Sequence, residues 1–373
     1  MNLITLLRKS YVNYRGWSTH KKIVVIESDD WGSIRMPNTE TYQALVKKGI
    51  PVDKNRYTKF DGLETPDDLS VLFEMLSSHK DANQQPATIT VNSLPANPDF
   101  DKIRADDLKT YHYESIFDSY QKYSSKEAMV GLWKQGVEQN IFYPQFHGRE
   151  HLHPTRWMKA VMTCEKEKIC FDHDAIPGIN LGTSNRINYL AAFDYYNEQE
   201  KSTIETDLID GLQMFETVFG FQSKSFIASQ SIRGNHINAI LAQNGVKYHQ
   251  NAQQLLPYLE DPKHGIVNKY WGFKDESGLL YWRRNVTFEP SKNQNLDWVD
   301  LCMAEINNAF TFGKPAVINS HRVNFIGHLS KKNQSDSIKA LDALLKAIVK
   351  KWPDVEFMNS QQLGEYMSNT KNE

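Results

Sequence analysis

Short β-type runs alternate with helical segments along most of this chain. The helical apolar stripe of residues 204–219 is followed by the run 225–229, and the stripe of residues 338–349 by the run 355–358. About eight such β-runs occur, most of them separated by a helix. Because strands joined through crossover helices are parallel, the alternation predicts an α/β fold built on a parallel sheet.

The chain shows no division into several domains. No long linker rich in Gly, Ser or Pro interrupts residues 21–373, which we expect to form one barrel domain with long loop insertions behind an amino-terminal extension, residues 1–20. An open, doubly wound sheet is the alternative architecture. No GxGxxG motif follows the first strand, which disfavours a dinucleotide site. Since such a site is typical of the doubly wound fold, the open sheet is disfavoured as well.

Composition excludes several partner classes. The 373 residues carry a net charge of −2 with acids and bases interspersed, which disfavours nucleic acid as a partner. The three cysteines form no CxxC pattern and indicate reduced thiols. The apolar run of residues 3–7 is too short for a signal peptide or a transmembrane segment. We expect a cytoplasmic protein whose first residues form a surface helix, with a membrane-contact segment as the alternative; no oligomeric state is indicated.

Metal-ligand residues recur where predicted strands end. Asp29 and Asp30 follow the run 23–26, His147 and His151 follow the run 141–146, and His321 ends the run 317–321. The carboxyl ends of parallel barrel strands converge on one mouth. An Asp-Asp pair is commonly a turn, and single histidines are commonly structural. One carboxylate and two imidazoles with open coordination positions, however, are how catalytic metals are held. Together they predict a site for one divalent ion with a spare carboxylate beside it.

These segments resemble a known family. Residues 28–32, Ser-Asp-Asp-Trp-Gly, resemble the Asp-Asp-Gly motif of the polysaccharide deacetylases of carbohydrate esterase family 4, which includes the nodulation chitooligosaccharide deacetylases. Residues 147–151, His-Gly-Arg-Glu-His, are similar to its His-(Ser/Thr)-x-x-His motif. Residues 318–321 and 296–298 are similar to its late Leu-x-His and Asp-Trp elements, in the same order. The resemblance implies a distorted (β/α) barrel of about seven parallel strands that removes an acetyl group from a sugar, polysaccharide or oligosaccharide.

The resemblance also implies roles for individual residues. Asp30, His147 and His151 would bind one divalent ion, with zinc favoured and cobalt, nickel or manganese as alternatives. Asp29 would be the general base and His321 the general acid, with Asp297 or another carboxylate holding the His321 ring. Further candidates for positioning these groups or contacting substrate lie beside the motifs: Trp31, Arg149, Glu150, Arg233, Asp297 and Arg322. For Arg149, Glu150, Arg233 and Arg322 the alternative is a solvated surface position or a structural salt link.

Departures from the family pattern indicate a divergent member. The third motif, Arg followed by Pro and an aromatic residue, is expected near residues 226–234, where Arg233 is displaced and no proline occurs. Gly148 replaces the hydroxyl residue of the second motif, and Trp31 is inserted in the first. Three alternatives stay open: a catalytically inactive sugar-binding relative, a glycoside hydrolase on a related barrel, and a non-haem iron oxygenase. The last usually has an antiparallel barrel.

Overall fold

The main sheet contains nine parallel strands among the residues that the structure describes. The computed structural model describes residues 10–179, 181 and 188–370. Within them the strand order is β10-β7-β6-β5-β2-β1-β12-β11, with β13 paired to the start of β1. Two antiparallel pairs, β3 with β4 and β8 with β9, lie outside this sheet. The strands are β1 Ile23–Trp31, β2 Ile89–Ser93, β3 Ala96–Pro98, β4 Tyr113–Ser115, β5 Phe142–Phe146, β6 Ser225–Phe226, β7 Tyr248–His249, β8 Gln253–Leu255, β9 Ile266–Asn268, β10 Leu280–Tyr281, β11 Val286–Thr287, β12 Ala316–His321 and β13 Glu356–Phe357.

Helices surround the curled sheet. They are α1 Thr39–Lys47, α2 Arg56–Phe60, α3 Pro66–Ser77, α4 Phe100–Ala105, α5 Ile116–Tyr123, α6 Lys126–Glu138, α7 Pro154–Thr163, α8 Glu165–Phe171, α9 Glu198–Phe219, α10 Ile237–Gln243, α11 Trp298–Thr311, α12 Lys331–Lys351 and α13 Ser360–Asn369. The described part of the chain also has four short 3₁₀ turns: Val52–Lys54, Ser229–Ser231, Pro290–Lys292 and Arg322–Asn324. The prediction of a distorted parallel (β/α) barrel is confirmed. The sheet has nine strands, whereas about seven were predicted. Several of the nine are only two residues long, which is too short to show a strand pattern in the sequence.

The two edge strands of the sheet are close neighbours in the sequence. β10 ends at Tyr281 and β11 begins at Val286, so residues 282–285 connect one edge to the other. Trp282 donates its backbone N–H to His249 of β7, and Asn285 donates its own to Val317 of β12. The backbone of residues 282–285 therefore closes the barrel between β10 and β11, the two edges at which strand pairing stops.

Alternating side chains of β1 belong to two different apolar cores. Val24 and Ile26 belong to the outer core, beneath the helices, while Ile23 and Val25 belong to the inner core. Successive side chains of a strand face opposite sides, and a parallel sheet covered by helices buries both. Helix α13 follows β13 and contributes Leu363 and Met367 to the inner core. The barrel interior is therefore packed at this end, and the polar cavity described below lies at the other.

The amino-terminal segment packs on the barrel. Residues 10–14 are helical, Asn13 donates to the Asn308 side chain at 2.9 Å, and Lys314 Nζ donates to the carbonyls of Gly16 and Trp17. The run of residues 3–7 lies outside the described residues, and the division at residue 20 stays a prediction. Among the helices described, none is long and apolar enough to cross a membrane.

Candidate metal and catalytic centre

A β-bulge brings the two adjacent aspartates to the same cavity. Neighbouring residues of a regular strand face opposite sides, yet Asp29 and Asp30 both line the cavity. The pairing with β2 shifts between Ser28 and Trp31, and Asp30 has a φ of 77°. Aspartate tolerates this left-handed conformation better than most residues. The two aspartates lie at the end of β1, as the sequence predicts, and the strand is irregular there.

The three predicted ligands meet. Asp30, His147 and His151 are buried, and their candidate ligand atoms all lie within 4.8 Å of one another. Asp30 Oδ1 is 3.5 Å from His147 Nε2 and 3.1 Å from His151 Nε2. Burial alone would raise the pKa of Asp30, but the two imidazoles and Arg35 outweigh it and hold that pKa well below its usual value. Asp30 is therefore a carboxylate anion, as a ligand must be.

The orientation of His147 fits metal binding. Its Nδ1 lies 2.9 Å from the Ile227 carbonyl oxygen, so Nδ1 carries the proton and donates it. Nε2 then holds the lone pair, and this buried atom has no hydrogen-bond partner among the described residues. A ligating histidine typically donates its other N–H to a carbonyl or carboxylate in this way. The donor set of one carboxylate and two imidazoles suits zinc.

Asp29 is held by an arginine that the sequence analysis missed. Arg284 lies on the link that joins the sheet edges and donates to Asp29 Oδ2 at 2.7 Å and Oδ1 at 2.8 Å. Asn92 adds a third donor at 2.7 Å. Burial would raise the pKa of Asp29, but the Arg284 guanidinium holds it below its usual value. Arg284 also donates to the buried Glu27 at 2.6 Å.

His321 faces Asp29 across the cavity. Its Nε2 is 4.0 Å from Asp29 Oδ2, and its Nδ1 is 2.5 Å from Glu289 Oε1. Burial lowers the pKa of His321, but the Glu289 carboxylate overcomes this effect and raises it to about 9. Of the two options expected, the carboxylate that holds this ring is Glu289 and not Asp297, whose side chain caps α11 by accepting from the Asp300 backbone N–H.

The other predicted positioning residues lie apart from the cavity lining. Trp31 is a buried core side chain that meets the Phe142 ring edge-on at 4.8 Å. Arg233 is buried and donates to Asn238 and Tyr281. Both residues stabilise packing, so their placement does not support a positioning or substrate-contacting role for Trp31 or Arg233.

Three charged candidates form buried ion pairs. Arg149 donates twice to Glu150, at 2.7 and 2.8 Å. Arg322 is fully buried and donates to Asp61 at 3.0 Å and Glu64 at 2.7 Å. None of these five side chains lines the cavity that holds the ligand triad. Arg149, Glu150 and Arg322 thus form structural salt links, which the sequence had left open as the alternative to a positioning role.

The cavity around the triad has a volume of about 600 Å³ and a largely polar wall. Asp29, Asp30, His147, His151 and His321 all line it, so the five central predictions converge in space. Further polar or aromatic residues of the wall were not predicted from the sequence: Arg35, Asn55, Tyr57, Gln230, Ser231, Asn251, Gln253, Arg284, Thr287 and Asn319. The wall therefore offers many hydrogen-bonding groups to a polar ligand.

No protein-family model matches this chain, and no curated protein sequence does. Among solved structures, PuuE allantoinase aligns over 96% of this chain and 94% of its own, at 8% identity and a TM-score of 0.49. A 4-alpha-glucanotransferase from Thermococcus litoralis aligns over 94% of this chain but only 41% of its own, at 8% identity and a TM-score of 0.48. BA3943, a CE4 family pseudoenzyme from Bacillus anthracis, aligns over 92% and 66%, at 10% identity and a TM-score of 0.37. Likeness at this level says nothing about chemistry, which has to be read from the residues of this chain.

Proposed function

We propose that this protein is a metal-dependent hydrolase that removes an acetyl group from a carbohydrate. The observation that carries the proposal is the convergence of a three-ligand set, Asp30, His147 and His151, with Asp29 and His321 on the wall of one polar cavity. Two imidazoles and one carboxylate leave coordination positions open for water and substrate. A cytoplasmic location and zinc as the native ion are part of the proposal.

The ligand triad would hold the ion through Asp30 and the Nε2 atoms of the two histidines. A divalent ion bound there would supply Lewis acidity, which acidifies a water molecule and polarises the acetyl carbonyl. The carbonyl of Ile227 keeps the His147 ring in the required tautomer. The protein therefore supplies an oriented, buried ligand set rather than a flexible one.

Asp29 would act as the general base. It lies beside the ligand Asp30 yet is bonded to Arg284 and Asn92, which leaves it out of the ligand cluster. Three donors occupy three of the roughly four lone-pair positions of a carboxylate, so one position stays available to a water proton. Arg284 would position this carboxylate without touching substrate.

His321 would act as the general acid. Its Nδ1 is bonded to Glu289, so Nε2–H is the donor that faces Asp29 and the cavity. Water would add to the acetyl carbon as Asp29 takes its proton. The bond from that carbon to the sugar nitrogen or oxygen would then break as His321 protonates the leaving atom, which yields acetate. The raised pKa of His321, about 9, keeps it protonated at neutral pH.

A catalytically inactive sugar-binding relative is the second candidate. The observation in its favour is the tight hold of Arg284 on Asp29, because a carboxyl group with a lowered pKa is a weaker base. In this case the cavity would bind an acetylated sugar without turnover.

An acetate-release assay tests the proposal. Zinc-loaded protein would be incubated with N-acetyl and O-acetyl monosaccharides and oligosaccharides, and free acetate would be measured against a chelator-treated sample. We expect release that depends on the metal and is lost in His147→Ala. Metal-loaded protein that binds acetylated sugars but releases no acetate would favour the sugar-binding candidate, and a protein that neither binds metal nor releases acetate would contradict the proposal.

A further inference from the structure

Arg35 is a buried arginine on the cavity wall. Its residue is 4% exposed, yet the side chain lines the cavity that holds the ligand triad. The backbone is fixed on both sides: Ile34 donates its N–H to Asn97 Oδ1 at 2.8 Å, and Ile176 donates its own to the Arg35 carbonyl at 2.9 Å. The guanidinium is thus held at the cavity rather than reaching it from a mobile loop.

Space for this guanidinium is provided by a glycine. Gly178 has a φ of 61°, and a Cβ atom there would lie 2.2 Å from Leu190 Cδ1 and 2.9 Å from Arg35 Nη1. A side chain at residue 178 would therefore both strain the backbone and crowd the arginine. The Tyr57 ring lies on another side, 5.9 Å from the guanidinium carbon.

The N–H donors of Arg35 are almost unused. Nη2 is 3.4 Å from His151 Nδ1 and 3.7 Å from Asp30 Oδ2, both long for a hydrogen bond. Nε is buried without a partner, and no other donation from Arg35 occurs among the described residues. Arg284, on the same wall, differs: it donates to Glu27, Asp29, Asn319 and Gln250. A buried guanidinium with free donors is costly unless a partner arrives.

Metal binding would release the remaining contact of Arg35. A neutral imidazole that binds an ion through Nε2 carries its proton on Nδ1, so His151 could no longer accept from Arg35. Asp30 would then be engaged by the ion. The other two cations of the described wall already have bonded carboxylates: Arg284 is paired with Asp29 and Glu27, and His321 with Glu289. Arg35 is consequently the cation of the described wall that has no hydrogen-bonded carboxylate; Asp30 lies 3.7 Å away, and Asp61 acts on it only through their charges.

We propose that Arg35 binds an anionic group of the substrate, a carboxylate or a phosphate, so that the substrate is an acidic sugar. The inference rests on the proposed function and narrows its substrate class. A planar fork of N–H donors suits both anions, which accept two parallel hydrogen bonds. Gly178 leaves the space and Tyr57 supplies an aromatic wall beside the anion site.

Binding of sugars that lack an acetyl group tests this assignment without turnover. Full-length, zinc-loaded protein would be titrated calorimetrically with glucose, glucuronate and glucose 6-phosphate. We expect at least one anionic sugar to bind about 10- to 100-fold more tightly than glucose, since a hydrogen bond to a charged group contributes about 1.5–3 kcal/mol. Arg35→Gln should remove this preference, and Arg35→Lys should restore part of it.

Arg283→Gln is the matched control, because it removes the same charge from a half-buried arginine that does not line the cavity. A preference for glucuronate alone identifies a carboxylate site, and one for glucose 6-phosphate alone a phosphate site. Equal binding of all three sugars by the wild type, or an anion preference that survives Arg35→Gln, would overturn the assignment. Acetate release without an Arg35-dependent anion preference refutes this inference alone, whereas the preference without acetate release refutes the proposed deacetylation.

Discussion

Replacing Glu289 by glutamine should lower the pKa of His321. Glutamine keeps the shape of the side chain but removes the charge that lies 2.5 Å from His321 Nδ1. Burial lowers this pKa and Glu289 more than reverses the effect, from the usual 6.5 to about 9. That difference corresponds to about 3 kcal/mol in favour of the protonated ring. The ring is 23% exposed, so water screens part of the interaction. We therefore expect a fall of about one to two pH units.

The titration is measured by NMR of the ring protons in both proteins. Asp342→Asn is the control, because it removes a carboxylate from another histidine, His79, whose Nε2 lies 2.9 Å from Asp342. This control should leave the His321 titration unchanged. An unchanged His321 pKa in Glu289→Gln would refute the assignment of Glu289 as its partner.

The same pair predicts a pH dependence of stability. A histidine whose pKa is raised on folding contributes stability that is fully present below the unfolded value, near 6.5, and is lost as pH rises through about 9. The free energy of unfolding of the wild type should therefore exceed that of Glu289→Gln most at pH 5–6.5, and the difference should shrink towards pH 9. A difference that grows over this range would contradict the sign of the effect. Urea unfolding of both proteins at several pH values measures this difference in the free energy of unfolding.

Three further substitutions test the site and its surroundings. Asp29→Asn should retain metal but lose acetate release by roughly two to four orders of magnitude, the usual contribution of a positioned base; loss of the metal would instead make Asp29 a ligand. Arg322→Met should lower the free energy of unfolding in urea by about 3–5 kcal/mol, because Asp61 and Glu64 would be left buried without their partner; a stability within about 0.5 kcal/mol of the wild type would refute the ion-pair role. Trp31→Ala should lower the free energy of unfolding by about 3–5 kcal/mol and leave sugar affinity unchanged. A loss of sugar affinity at unchanged stability would instead show that Trp31 contacts the substrate.

The ligand triad could be predicted because its signals are local. Two histidines four residues apart directly after β5, and two aspartates at the end of an apolar run, mark strand ends in the sequence itself. The parallel barrel then brings such ends together. The bulge in β1 was not predictable in the same way, since no glycine marks it and the positive φ falls on Asp30.

The sequence did not predict the groups around the triad, because contacts between segments far apart in the chain bring these groups to the cavity. Arg284 lies between two strands of two residues each, too short to show a period, and reaches Asp29 because residues 282–285 bridge the sheet edges. Glu289 and Arg35 lie in irregular segments. Asp297 carried a recognisable local signal, however: an aspartate followed three residues later by an acid is typical of a helix start, and that is its role.

Metal stoichiometry is the measurement that tests the central claim most directly. Purified wild type, His147→Ala, His151→Ala and the control His153→Ala would be loaded with zinc, freed of excess ion and analysed by mass spectrometry, with circular dichroism to verify folding. We predict about one zinc per wild-type chain and per His153→Ala chain, and a large loss in the two ligand variants while their fold is kept. Full zinc occupancy in both His147→Ala and His151→Ala would contradict the metal centre and the hydrolase built on it.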